Sequence, residues 1–164
     1  EGNYRSGQQH GTWINYNEKG RKIEESQWKN GELFGKTTLW DKNGNKTILK
    51  SFKEDEKDGL WIWWSPNGKK VKEGNFKLGD KNGKWTYYHA NGKKKRLENY
   101  KLGKKNGKLI VWFENGQKER EESYRNDEKH GKWTYWFENG RLDKEEKYTN
   151  GVQTDGKHYD YFDN

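Results

Sequence analysis

The chain has 164 residues, with 34 Lys and Arg against 26 Asp and Glu, a net charge of +8, 27% hydrophobic residues and neither Cys nor Met. No disulfide or thiolate metal site can form, no apolar run approaches the roughly 20 residues of a membrane span, and Leu, Ile, Val and Phe are scarce enough to make disorder the default. Ten Trp and ten Tyr oppose that default, because such side chains each bury on the order of 150–250 Å² once packed.

In chain order, a half repeat at 1–10 precedes full units at 11–34, 35–58, 59–82, 83–106, 107–130 and 131–155, and a second half repeat occupies 156–164. The frame is a set of columns spaced 24 residues apart. Gly11, Gly35, Gly59, Gly83, Gly107 and Gly131 form the first column, and Gly20, Gly44, Gly68, Gly92, Gly116 and Gly140 the second. Aromatic residues fill a third, Tyr4, Trp28, Phe52, Phe76, Tyr100, Tyr124 and Tyr148, and a fourth, Tyr16, Trp40, Trp64, Tyr88, Trp112 and Trp136. Columns in phase over the whole chain identify a tandem repeat, read here as one domain over 1–164.

Each unit opens on a first strand of the form Gly-x-Trp-x-x-Trp/Tyr, as in "GKWTYW" at 131–136, whose residues suit a pleated surface. Asn-Gly follows in five units, with Lys19-Gly20 in the first, and is read as a two-residue hairpin loop. A lysine-rich second strand runs to the third-column aromatic, and a looser turn such as "KLGKKNG" at 101–107 leads onward. No stretch has a helical apolar stripe. The predicted fold is all-β, an elongated, twisted antiparallel meander of tandem β-hairpins with about 13 to 14 strands of ordinary length.

A two-residue loop places Thr38 opposite Leu49, Thr86 opposite Leu97, and Ile14, Ile62 and Ile110 opposite Glu25, Glu73 and Glu121. A small residue then meets a large apolar one, and Ile meets the acid, which supports the register. A three-residue loop with a bulge would swap the faces. The same register lays Tyr100 over Gly83, and the first-column glycines are read as positions covered by aromatic rings, with Tyr100 and Tyr124 structural. Single hairpins being marginal, stacked aromatic neighbours supply the burial.

"GKWTYYHANGKKKRLENYKLGKKNGK" and "GKWTYWFENGRLDKEEKYTNG" resemble MORN repeats (membrane occupation and recognition nexus), closest to the bacterial variant that reads Gly-x-Trp-x-x-Tyr, Asn-Gly-Lys and a distal Tyr. The resemblance covers residues 4 to 162 and implies a scaffold of antiparallel sheet used in adaptor, junctional and cell-surface contexts. Some bacterial members are labelled antitoxins of toxin–antitoxin pairs, which implies binding a protein partner. Thr37 and Leu109 in place of the first-strand Trp, Asp55 and Asp127 in place of a loop Gly, and one extra residue before Gly156 are departures expected to weaken single units.

No catalytic set emerges. His10, His89, His130 and His158 lack ligand spacing, and His10 and His130 are read as exposed turn residues. No Ser–His–Asp pattern, phosphate loop or metal motif is present, so neither an enzyme, a cofactor nor a metal is expected. Aromatics on both faces of strands such as "WIWW" at 61–64 exceed what one solvated face needs. The reading is a scaffold binding another protein through Trp40, Trp64, Tyr88, Trp112 and Trp136, with a glycan or cell-wall polymer or an anionic lipid surface as the alternative. Nucleic acid is disfavoured, because Lys and Glu alternate and rings about 10 Å apart fit successive bases poorly; a second copy of the chain is a compatible partner. The missing Met at residue 1 is read as an N-terminus lost to a signal peptidase or to trimming, and an exported or cell-surface location is favoured over a cytoplasmic one.

Overall fold

A computed structural model describes residues 1–159; positions 160–164 of the last half repeat lie outside the described residues. The chain forms two compact units, Glu1–Lys81 and Asn82–Asn164. In the first unit the strands are β1 (Asn3–Arg5), β2 (Gln8–Tyr16), β3 (Lys22–Lys29), β4 (Glu32–Trp40), β5 (Lys46–Lys53), β6 (Glu56–Lys57), β7 (Gly59–Trp64) and β8 (Lys70–Lys77). β9 (Asp80–Tyr88) leads into the second unit, which continues with β10 (Lys94–Lys101), β11 (Lys104–Lys105), β12 (Gly107–Trp112), β13 (Lys118–Arg125), β14 (Glu128–Lys129), β15 (Gly131–Trp136), β16 (Leu142–Thr149) and β17 (Val152–His158). Within each unit consecutive strands pair antiparallel. β6, β11 and β14 are two-residue pieces of a first strand cut by a bulge, so the seventeen segments among the described residues amount to fourteen strands.

The strand bodies take the expected register. Thr38 faces Leu49, Thr86 faces Leu97, and Ile14, Ile62 and Ile110 face Glu25, Glu73 and Glu121. The turns that set this register differ from expectation, and the two turn classes are exchanged. At Asn-Gly, Gly44 donates its N–H to the Asp41 carbonyl and Asp41 donates to the Asn45 carbonyl, closing a three-residue loop with Gly44 at φ 86°. None of the asparagines preceding these glycines has the positive φ that a two-residue loop would demand. The loop alone would reverse the faces. A second irregularity, where the ladder steps from Leu39↔Ile48 to Trp40↔Lys46, restores them. The stretch expected to be loose holds the two-residue turn instead, with Leu102 at φ 47° and Gly103 at φ 80° between the paired Lys101 and Lys104.

These tight turns are stitched to one another inside each unit. Gly79 donates its N–H to the Lys57 carbonyl, and Gly151 to the Lys129 carbonyl. Asp55 and Asp127, expected to weaken their units, add a bond that glycine lacks: their carboxylates accept the N–H of Leu33 and of Lys105, each at 2.7 Å. The Thr37 departure does carry a burden, since its hydroxyl is buried without a hydrogen-bond partner.

The glycine column needs a different explanation from the expected one. An ideal Cβ on Gly59, Gly107 or Gly131 would meet Ser51, Asn99 or Ser123 and no aromatic ring, while one on Gly83 would meet nothing within 4 Å. The requirement is conformational: Gly107 has φ 103°, in the region glycine tolerates, where the ladder jumps from Tyr100↔Lys105 to Leu97↔Ile110.

That bulge explains the Gly-x-Trp spacing. In the 59 and 131 repeats it frees the carbonyls of Ser51 and Ser123. Each accepts a backbone N–H, from Asp58 and His130, and also an indole N–H, from Trp61 and Trp133 at 3.0 Å. Trp61, Trp85 and Trp133, with Leu109 in the same column, are therefore buried and form the core.

Candidate interaction face

Alternation along the strands separates two faces. The core face carries the buried Trp column and the third-column aromatics. In the first unit Trp61 sits edge-on between Phe52 and Phe76, at 5.4 and 5.2 Å. In the second, Trp133 sits between Tyr124 and Tyr148, at 5.2 and 5.1 Å. Lysines close this core beside the tight turns: Lys57 lies over Trp61 and Phe76, and Lys129 over Trp133 and Tyr148. The first-strand Trp column was absent from the sequence-predicted structural residues. Its signal was present in the Gly-x-Trp spacing.

Tyr100 and Tyr124 belong to a polar network on the core face of the second unit. Their hydroxyls each donate to a buried carboxylate at 2.9 Å, Tyr100 to Glu98 and Tyr124 to Glu122. Arg120 Nε lies 2.9 Å from Glu122 as an ion pair without a directed hydrogen bond. Burial first, and then the adjacent Glu98, raise Tyr87 and Tyr100 above the ordinary phenol range; burial and Glu122 do the same for Tyr124, and burial and Glu146 for Tyr135. Burial acts against the charge of Glu146, but the Lys144 ammonium at 3.0 Å outweighs it and holds the carboxyl below its usual value.

The opposite, outer face carries the residues predicted to bind a partner. Trp40 and Trp64 lie there in the first unit, and Tyr88, Trp112 and Trp136 in the second, all half-buried at the Asn-Gly end of their strands. Sequence reasoning missed the lysines that belong with them. Lys22 lies 5.2 Å from the Trp40 ring and pairs with Glu25 at 2.6 Å. Lys118 lies 5.5 Å from the Trp136 ring and pairs with Glu121 at 2.6 Å. Hydrogen bonds from Lys108 and then Lys118 lower the Glu121 carboxyl below its usual range. A groove of about 470 Å³ opens beside Trp136, between Lys118, Lys132, Leu142 and Glu145.

The histidines also sit differently from expectation. His10 lies in β2, and both His10 and His130 are half-buried with Nδ1 unpartnered, so neither is an exposed turn residue. His89 Nε2 lies 2.9 Å from the Trp112 carbonyl, which fixes Nε2 as the protonated nitrogen there. Among the described residues no three His, Asp or Glu side chains form a metal-binding group, and no helix is long and apolar enough to cross a membrane.

The model of the MORN repeat variant matches four stretches, 57–78, 81–102, 105–126 and 129–150, together 88 of the 164 residues. The chain belongs to the MORN repeat variant family. As a MORN protein it is a tandem-repeat scaffold, of a kind that is generally non-enzymatic. No curated protein matches it significantly. Among solved structures it is similar to one titled "Crystal structure of GtfA/B complex bound to UDP and GlcNAc", at 13% identity and a TM-score of 0.27, covering 62% of this chain and 20% of that one. The MORN chain thus spans about a fifth of that protein's length.

Proposed function

We propose that the chain is a non-catalytic scaffold that binds another protein through the outer-face aromatics, Trp40 and Trp64 in the first unit and Tyr88, Trp112 and Trp136 in the second. The observation that carries the reading is a second aromatic column beyond the one the core consumes: Trp61 and Trp133 are 7% and 3% exposed, whereas these rings stay half-open on the other face. Trp is enriched at binding hot spots, where a rigid ring adds much contact area at little entropic cost. Bacterial relatives labelled antitoxins make a toxin one candidate partner, and an exported location remains part of the same proposal.

Affinity capture from the source cell tests it, with the native chain beside a Trp64→Ala/Trp112→Ala variant that melts normally. One protein retained by the native chain and lost by the variant is expected. Retention on anionic vesicles at physiological salt, where screening removes scattered lysine contacts, or on a cell-wall glycan, would transfer the function to that ligand.

A further inference from the structure

The outer face has a second, longer rhythm that the 24-residue period conceals. In the sequence a column of Lys22, Lys46, Lys70, Lys94 and Lys118 precedes a variable residue by three places, and this residue stands diagonally across from Trp40 and Trp64 in the first unit and from Trp112 and Trp136 in the second. That residue alternates: Glu25, Leu49, Glu73, Leu97, Glu121. The residue between it and the ring alternates in step, Thr38, Ile62, Thr86, Ile110, Thr134. Two kinds of tryptophan site result.

At the first kind the lysine is held at both ends. Lys22 bridges Glu25 and the Trp40 ring over Thr38, and Lys118 bridges Glu121 and the Trp136 ring over Thr134. The ammonium is neutralised, and it covers the ring. At the second kind the acid is replaced by leucine. Leu49 pairs with Ile62 beside Trp64 in the first unit, and Leu97 pairs with Ile110 beside Trp112 in the second. Among the described residues Lys46 and Lys94 make no ion pair, and no lysine stacks on Trp64 or Trp112. Each of these sites is an apolar triad whose leucine follows an unpaired lysine by three residues; in the first, Ile62 is already buried at 9% exposure, which leaves Trp64 and Leu49 half-open.

Resting on the proposed function, we infer that Trp64–Ile62–Leu49 and Trp112–Ile110–Leu97 are the two docking points of the outer face, one in each unit, and that the partner offers an acidic segment with an apolar side chain beside a carboxylate. The apolar side chain covers the half-open Trp and Leu of each site, and the carboxylate takes Lys46 or Lys94. At the capped sites Lys22 and Lys118 are already paired with Glu25 and Glu121 and lie over the Trp40 and Trp136 rings, so neither an unpaired ammonium nor an uncovered ring is offered there. Charge complementarity selects the sites, and the chain's net charge of +8 favours the same kind of partner.

The test uses the intact chain and a short peptide alternating glutamate and leucine, compared with its glutamine–leucine counterpart. Leu49→Glu and Leu97→Glu copy a residue the repeat already carries at Glu121, so they cap the ring without removing it; thermal melts confirm folding. Saturable binding of the acidic peptide is expected, weaker by at least about tenfold in Leu49→Glu/Leu97→Glu and in Lys46→Gln/Lys94→Gln, and strengthened by Glu121→Leu, which uncaps Trp136. No binding to the native chain, or equal binding of the glutamine peptide, overturns the inference. If Trp112→Ala and Trp136→Ala weaken binding equally while Leu97→Glu changes nothing, the face binds without selection by the caps and this inference alone falls. If no outer-face substitution matters and core-preserving variants all bind alike, the proposed function falls with it.

Discussion

In Glu1–Lys81, Trp61 is flanked by Phe52 and Phe76 and stands opposite Gly74; in Asn82–Asn164, Trp133 is flanked by Tyr124 and Tyr148 and stands opposite Glu146. Ring separations of 5.1 to 5.4 Å are common to both, so the two units solve one packing problem. They differ in what surrounds the rings. The first unit leaves Phe52 and Phe76 as hydrocarbon, with Lys50 and Gly74 in the column where the second has Glu98, Glu122 and Glu146, and at Trp28 the indole N–H donates to the buried Ser26 hydroxyl at 2.8 Å. The second adds a hydroxyl to each ring and a carboxylate to receive it, then a cation to hold the carboxylate. Ring position is therefore set by the sheet, while the polarity of the core is free to vary provided the buried carboxylates are matched.

The sharpest way to break this equivalence is to remove the central ring. Trp61→Ala and Trp133→Ala should each cost about 3–5 kcal/mol in urea unfolding, because each loses a buried indole and leaves a bulge carbonyl with one donor fewer. A cost concentrated in one of them would mean that the two cores are not the same device. The next effect separates the units. Tyr124→Phe leaves the Glu122 carboxylate, 6% exposed, without its hydroxyl donor and should cost about 1–3 kcal/mol. Phe52→Tyr in the first unit, where Lys50 occupies the matching column, should bring no comparable gain.

Alkaline pH should also act on the second unit more than on the first. Tyr87, Tyr100, Tyr124 and Tyr135 all have their pKa raised by burial and by Glu98, Glu122 or Glu146. A raised folded pKa means that the native state retains the proton. This contribution is complete below the unfolded tyrosine value of about 10 and is lost as pH climbs beyond it. Tyrosinate absorbance should show these four of the ten tyrosines ionising late or only with unfolding, and Phe52 and Phe76 have nothing to ionise. Simultaneous ionisation of every tyrosine near pH about 10 would contradict the buried network. The smallest expected effect is shared by both units. Asp55→Gly and Asp127→Gly relieve positive φ values of 61° and 70° but lose the bonds to Leu33 and Lys105, so melts should move by no more than about 0.5 kcal/mol.

Much of this fold was legible because the repeat states each position six times. The column spacing, the β class and the strand-body register all followed from residue type, and Ile14 opposite Glu25 was readable from hydrophobic compensation alone. The turns were misread for a physical reason. Asn-Gly serves both a two-residue loop and a three-residue loop that needs left-handed φ only at the glycine, and the compensating bulge at the start of each second strand carries no sequence mark. The true two-residue turn hid behind Leu78 and Leu102, residues seldom found at positive φ. On the candidate face the aromatic column was visible, but its lysine caps were not. Lys22 and Lys46 are identical in the sequence, and only the third residue onward, Glu25 or Leu49, decides whether the ring beyond is covered.

Trp61 and Trp64 lie three residues apart on β7, one in the core and one on the outer face. Paired melts and partner titrations of Trp61→Ala and Trp64→Ala therefore put the division between the faces to its most direct test. The division calls for a steep loss of stability in Trp61→Ala, and for at least about tenfold weaker partner binding in Trp64→Ala with its melt much less affected. A Trp64→Ala chain that unfolds while Trp61→Ala stays folded and loses the partner would show that the faces are assigned backwards.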